Sequence, residues 1–82
     1  MAKSLVLSNT AVKLGVTPFM AGRNAMALNQ TVGALILQKS DTLGGTYVTL
    51  ATVPANGTIE IPTLPPFIKV STVANVTLIA GP

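Results

Sequence analysis

Asp41 and Glu60 are the only side-chain carboxylates in the chain, and Lys3, Lys13, Arg23, Lys39 and Lys69 are its only strong cations. Histidine and cysteine are both absent. The groups that most often activate a nucleophile or move a proton near neutral pH are therefore missing. A two-carboxylate mechanism needs both acids to face one bond. Asp41 falls in a glycine-rich loop, however, and Glu60 on the outer side of a predicted strand. Lys39 and Ser40 could be drawn as a dyad, but neighbouring strand residues point to opposite faces. Without histidine or cysteine a structural zinc site has no natural ligands, and two acids make a poor calcium cage without backbone help. No catalytic residue, metal or cofactor is expected, and the chain reads as a non-enzyme without a small-molecule substrate.

Two further motifs resemble binding elements and have simpler uses. Gly44-Gly45 lacks the spacing, the following helix and the lysine of a nucleotide loop. It reads as a turn in which glycine supplies positive φ. Pro62-Thr63-Leu64-Pro65-Pro66 has the composition of a polyproline ligand, but Phe67 and Ile68 next to it can anchor it to the domain. Leu64, Pro65, Pro66 and Phe67 form one stiff apolar segment, and Pro18, Phe19 and Met20 form another. Exposed, either would be a protein-contact patch. Buried, Phe19 and Phe67 would be core plugs, and the sequence leaves both uses open.

Strands must position these segments. Thr58-Ile59-Glu60-Ile61 alternates apolar and polar residues, as does Phe67-Ile68-Lys69-Val70, which puts Ile68 and Val70 on one face. Asn75-Val76-Thr77-Leu78 directs Val76 and Leu78 inward, and Tyr47-Val48-Thr49-Leu50 directs Val48 and Leu50 inward. Ala34-Leu35-Ile36-Leu37 is apolar on both faces and reads as a central strand covered on both sides. Pro54-Ala55-Asn56-Gly57 is a hairpin signal, and residues 62–66 should be an edge or crossover, because proline cannot donate to a ladder. Ser4 to Leu7, Ala11 to Leu14 and Ala25 to Asn29 are further strands, with 17–24 irregular. The expectation is an all-β fold, a compact antiparallel β-sandwich or jelly-roll-like barrel of about seven or eight short strands. It forms a single domain over 1–82, with residues 31–82 as the sandwich core and 1–30 as a less regular part able to act as an arm.

Composition narrows what such a domain does. Charged residues make up 9% of the 82 residues and hydrophobic residues 49%, whereas ordinary domains carry roughly 25% charge. In a chain this short, burial and conformational entropy nearly cancel. With no disulfide or structural metal to help, association is the remaining source of stability. Interface cores are depleted in Lys, Glu and Asp, which fits a homo-oligomer, dimer or trimer, that also binds other subunits. The net charge of +3 reflects scarce acids, since the cations form no run. Aromatics for base stacking are limited to Phe19, Tyr47 and Phe67, so no nucleic-acid partner is expected. Leu5-Val6-Leu7 is much shorter than a signal h-region, and Val32 to Leu37 is far below a membrane span, so no membrane partner is expected.

From Leu37 onward the order of features resembles small tailed-phage virion proteins. Gln38-Lys39-Ser40-Asp41 ends a strand, Gly44-Gly45-Thr46-Tyr47 turns into an aromatic-led one, and Leu50-Ala51-Thr52-Val53 follows. The Asn56-Gly57 turn and the strand Leu64-Pro65-Pro66-Phe67-Ile68-Lys69 complete the pattern over about the last half of the chain. The resemblance implies a capsid decoration, or cement, protein on the virion surface, with the major capsid protein as partner and no catalytic or ligand motif. Two other readings remain: a carbohydrate-binding β-module of a fibre or adhesin, which would rely on Tyr47, and a small nucleic-acid-binding β-barrel.

Overall fold

A computed structural model describes residues 3–16 and 19–80, the Val16 side chain excepted. β-Branched residues and period-two alternation make almost every regular segment a strand. Among the described residues these are β1 (Lys3–Leu7), β2 (Val12–Lys13), β3 (Gly15–Val16), β4 (Phe19–Met20) and β5 (Ala25–Asn29). The remainder are β6 (Leu35–Ser40), β7 (Val48–Val53), β8 (Gly57–Ile61), β9 (Phe67–Val70) and β10 (Val76–Ala80). The first sheet has the order β1-β10-β5-β8, the second β2-β9-β6-β7, and β3 and β4 form a separate two-stranded ribbon. Every pairing is antiparallel. The fold is an all-β sandwich.

The inward rows of both sheets supply the core. Leu7, Ala25, Ala27, Ile61, Val76 and Leu78 from the first sheet meet Leu35, Leu37, Val53, Ile68 and Val70 from the second. Sheets stack about 10 Å apart, and the Cα extents of 33 × 30 × 17 Å describe such a slab. The accessible surface is 4682 Å², close to the ~4,600 Å² expected for a compact chain of this mass. No long arm extends from it.

Residues 1–30 are accordingly no loose arm where they are described. β1 pairs along its whole length with β10, and β5 sits between β10 and β8. The 17–24 stretch, expected to be irregular, includes β4, which pairs with β3. Three backbone bonds tie the segment around it to the proline-rich crossover: Leu14 N–H to Pro66 O at 2.9 Å, Gly22 N–H to Leu64 O at 2.8 Å, and Leu64 N–H to Arg23 O at 2.7 Å. Gly22, at φ 89°, takes the left-handed conformation that this return requires.

Other expectations change in instructive ways. Pro54–Gly57 does form a turn, with Gly57 N–H bonded to Pro54 O at 3.1 Å, yet it closes no hairpin. β7 lies in the second sheet and β8 in the first. Among the non-glycine residues described, only Asn56 has positive φ, 50°. A turn left-handed at its second central residue alone is not one of the primed types that match strand twist, so it splays the strands instead. β6 is central, but it is covered on one side only, because Ile36 on its outer face is 39% exposed. Between Leu37 and Gln38 the register with β7 shifts, leaving Leu50 as the extra residue of a bulge. Leu50 packs against the core. Val48 shares the inner side with Lys39 and Ile68 but stays 52% exposed, since its row runs beyond the covering sheet. The Gly44-Gly45 pair serves space and not φ. A Cβ on Gly45 would lie 2.9 Å from Ser40 Oγ and collide with Thr42 Oγ1.

One buried polar side chain ties the two sheets together. Asn29 is fully buried. Its Nδ2 donates to Gly33 O at 2.8 Å and to Val53 O at 3.1 Å, on the other sheet. Its Oδ1 accepts from Thr31 N–H at 2.9 Å and from Thr31 Oγ1 at 2.7 Å. All four hydrogen-bonding positions of the amide are used.

Two outcomes follow for stability. Asn29→Asp turns a donor into an acceptor facing two carbonyls, and should cost about 2–4 kcal/mol at pH 7. A protonated carboxyl can still donate, so folding raises the introduced group's pKa above its unfolded value of about 3.9. The variant should keep most of its stability below that value and lose it as pH rises; urea melts across pH 3 to 7 read this out directly. Asn56→Ala places a β-carbon in the left-handed region and should cost about 1 kcal/mol, whereas Asn56→Gly should be close to neutral in the same melts.

Candidate protein-binding surface

The two apolar segments singled out from sequence are mostly interior. Leu64 is 1% exposed and Phe19 8%, both within the core cluster, and Pro65 is buried as well. Phe19 is thus a core plug. Met20, Pro66 and Phe67 are half-buried, and Pro18 lies outside the described residues. The crossover 62–66 closes one end of the sandwich, with Leu64 anchored by its two backbone bonds. These residues therefore do not form an exposed patch.

Beside the crossover lies an open cleft of about 500 Å³, lined by Lys39, Ser40, Asp41, Thr46, Val48, Thr63, Leu64, Pro65 and Pro66. Its walls mix one cation, one anion and aliphatic carbon. Ser40 Oγ donates to Thr42 O at 2.7 Å and accepts from Thr42 N–H at 3.2 Å. The hydroxyl is therefore committed to the turn beside it. Asp41 follows β6 in the second sheet and Glu60 lies on β8 in the first, so the two carboxylates stand on different sheets.

The two outer faces differ in character. On the second sheet, Lys13 and Lys69 are both directed outward, opposite in phase to Val12, Ile68 and Val70. Lys69 Nζ sits 4.7 Å from the centroid of Tyr47, a cation–π contact, and the Tyr47 hydroxyl donates to Leu43 O at 3.0 Å. One face of that ring is thereby taken. On the first sheet the outward rows are Ser4-Ile79-Met26-Glu60 and Val6-Thr77-Leu28-Thr58, reading across β1, β10, β5 and β8. Glu60, on an edge strand, is their only charge.

The ends of the slab are just as unlike. At the end where Asn29 ties the sheets, four connections cross between them: 8–11, 30–34, 54–56 and 71–75. None contains a charged residue. Asn56 N–H bonds Thr31 O at 2.9 Å and Val70 N–H bonds Ser8 O at 2.8 Å, which links these connections into one surface. At its tips Val32 is 93% exposed and Val73 86%. The charged residues lie toward the opposite end or on the strands.

The sequence reading missed this uncharged pole. Val32 was absorbed into the apolar run ending at Leu37, although β6 starts only at Leu35. Val73 lay in an expected turn, and no linear motif joins the two. The usable signal was the charge gap between Arg23 and Lys39 and, after Lys69, to the end of the chain.

Comparison with family models, with curated proteins and with solved structures found no match in any of the three.

Proposed function

We propose that this chain is a structural docking module, a virion subunit that attaches to the assembled phage capsid as a decoration protein. The observation that carries the docking is the uncharged pole with its two exposed valines. Water gains little from surrounding aliphatic loop tips, and covering them removes apolar surface without stripping any charge of its hydration. Four connections braced by backbone bonds and by Asn29 form a prearranged platform, so little ordering entropy opposes binding. The phage-like order of turns and strands from Gln38 to Lys69 supports the capsid as the partner. Tyr47, the residue on which a sugar platform would rest, carries Lys69 on its ring, which weighs against the carbohydrate reading. The cations are divided among both sheets and the connecting segments, which weighs against a nucleic-acid groove.

Co-sedimentation with shells of the major capsid protein tests the reading. The chain should pellet with them, and its affinity should change little between about 50 and 200 mM salt, in contrast to phosphate binding. Val32→Asp together with Val73→Asp should weaken attachment by at least ~10-fold, since each carboxylate must be desolvated. Urea midpoints should stay within the range of surface substitutions. Failure to pellet, or equal pelleting by the double variant, would reject the proposal.

A further inference from the structure

The outer face of the first sheet has the composition of an interior and no cover. Val6 is 59% exposed and Met26 40%, with Leu28, Thr77 and Ile79 half-buried between them. Its charges are placed in a way that selects an occupant. Lys3 lies on β1 and Glu60 on β8, at opposite edges but at the same end of the sheet, through the rows Lys3-Ala80 and Ser4-Ile79-Met26-Glu60. Neither takes part in an ion pair among the described residues.

We propose that this face binds a second copy of the chain, about a two-fold axis parallel to the strands. Such a rotation exchanges the edges and preserves the ends. β1 of one copy then lies over β8 of its partner, and β10 over β5. Met26 meets Ile79, Leu28 meets Thr77, and each Glu60 carboxylate comes beside a Lys3 ammonium. The interface is isologous, so each contact occurs twice and the assembly closes at two. Real sheets cross at roughly 30°, which lysine's long side chain can accommodate.

Area and charge both favour this face. The slab measures 33 Å by 30 Å across, enough to supply the ~800 Å² per partner of a standard interface. Pairing through the second sheet would instead bring Lys13 and Lys69 of one copy toward those of the other. A shallow recess bordered by Asn24, Met26, Glu60 and Ile79 gives a partner side chain somewhere to seat. The inference does not depend on the capsid reading, because it uses only the face itself.

Sedimentation equilibrium of the full chain should show a dimer in the ~10–100 μM range. Met26→Glu should weaken it at least ~100-fold while leaving the far-ultraviolet circular dichroism unchanged. Glu60→Lys alone, or Lys3→Glu alone, should weaken it by about 3–10-fold. The two reversals combined should restore it, which a purely structural role for either residue would not produce. A monomer at these concentrations, a closed trimer, or a double reversal no tighter than the singles would overturn the proposal. A monomer that still pellets with capsids would overturn the pairing alone; a dimer that ignores capsids would overturn only the docking.

Discussion

A two-sheet sandwich has four faces, and stacking the sheets covers two of them. Everything distinctive about this chain follows from how it treats the other two faces and the ends. The inner rows are Leu, Ile, Val and Ala almost throughout, and they close on one another as two half-layers. The outer rows of most sandwiches are hydrated by charge. Here the first sheet offers only Glu60 on its outward rows, while the second carries Lys13 and Lys69. The same alternation that buries Leu78 and Val76 turns Ile79 and Thr77 outward, so the core cannot form without displaying the apolar face behind it.

That constraint also explains why Asn29 matters more than its size suggests. Interlocking aliphatics alone permit small slides between sheets, because apolar contact has no direction. The Asn29 amide has direction. Its bonds to Gly33, Thr31 and Val53 fix the 30–34 connection against the end of β7, and a slide would leave buried groups unpaired. At the other end, the three bonds between residues 14–23 and 64–66 do the same with main chain. The sheets are thus held at both ends by hydrogen bonds and in the middle by packing.

Much of this was legible because period two is a strong local signal. Ile68 with Val70 and Val76 with Leu78 follow from spacing alone, and each is fully buried. What sequence could not supply was which sheet each strand joins. Asn56-Gly57 marks a turn in any context, but whether it closes a hairpin depends on the sign of φ at Ala55, which composition does not fix. Leu64 and Phe19 posed the same difficulty in reverse. A stiff apolar segment next to prolines looks alike whether it caps the core from inside or faces a partner, and only the backbone bonds to Arg23 and Gly22 decide it. The uncharged pole was invisible for a related reason: its four connections are far apart in sequence and meet only in the fold.

The geometry of the proposed pair bears on the proposed docking. A two-fold axis perpendicular to the strands would point the two uncharged poles in opposite directions, so a dimer could touch a shell with one of them. An axis parallel to the strands points both poles the same way. Two copies then present four exposed valines on one side and most of their charge on the other, toward solvent. Once one pole is seated, the second is held near its own site at high effective concentration, and modest single-site affinity becomes firm attachment without any new contact. Pairing thereby covers one uncharged surface and doubles the use of the other.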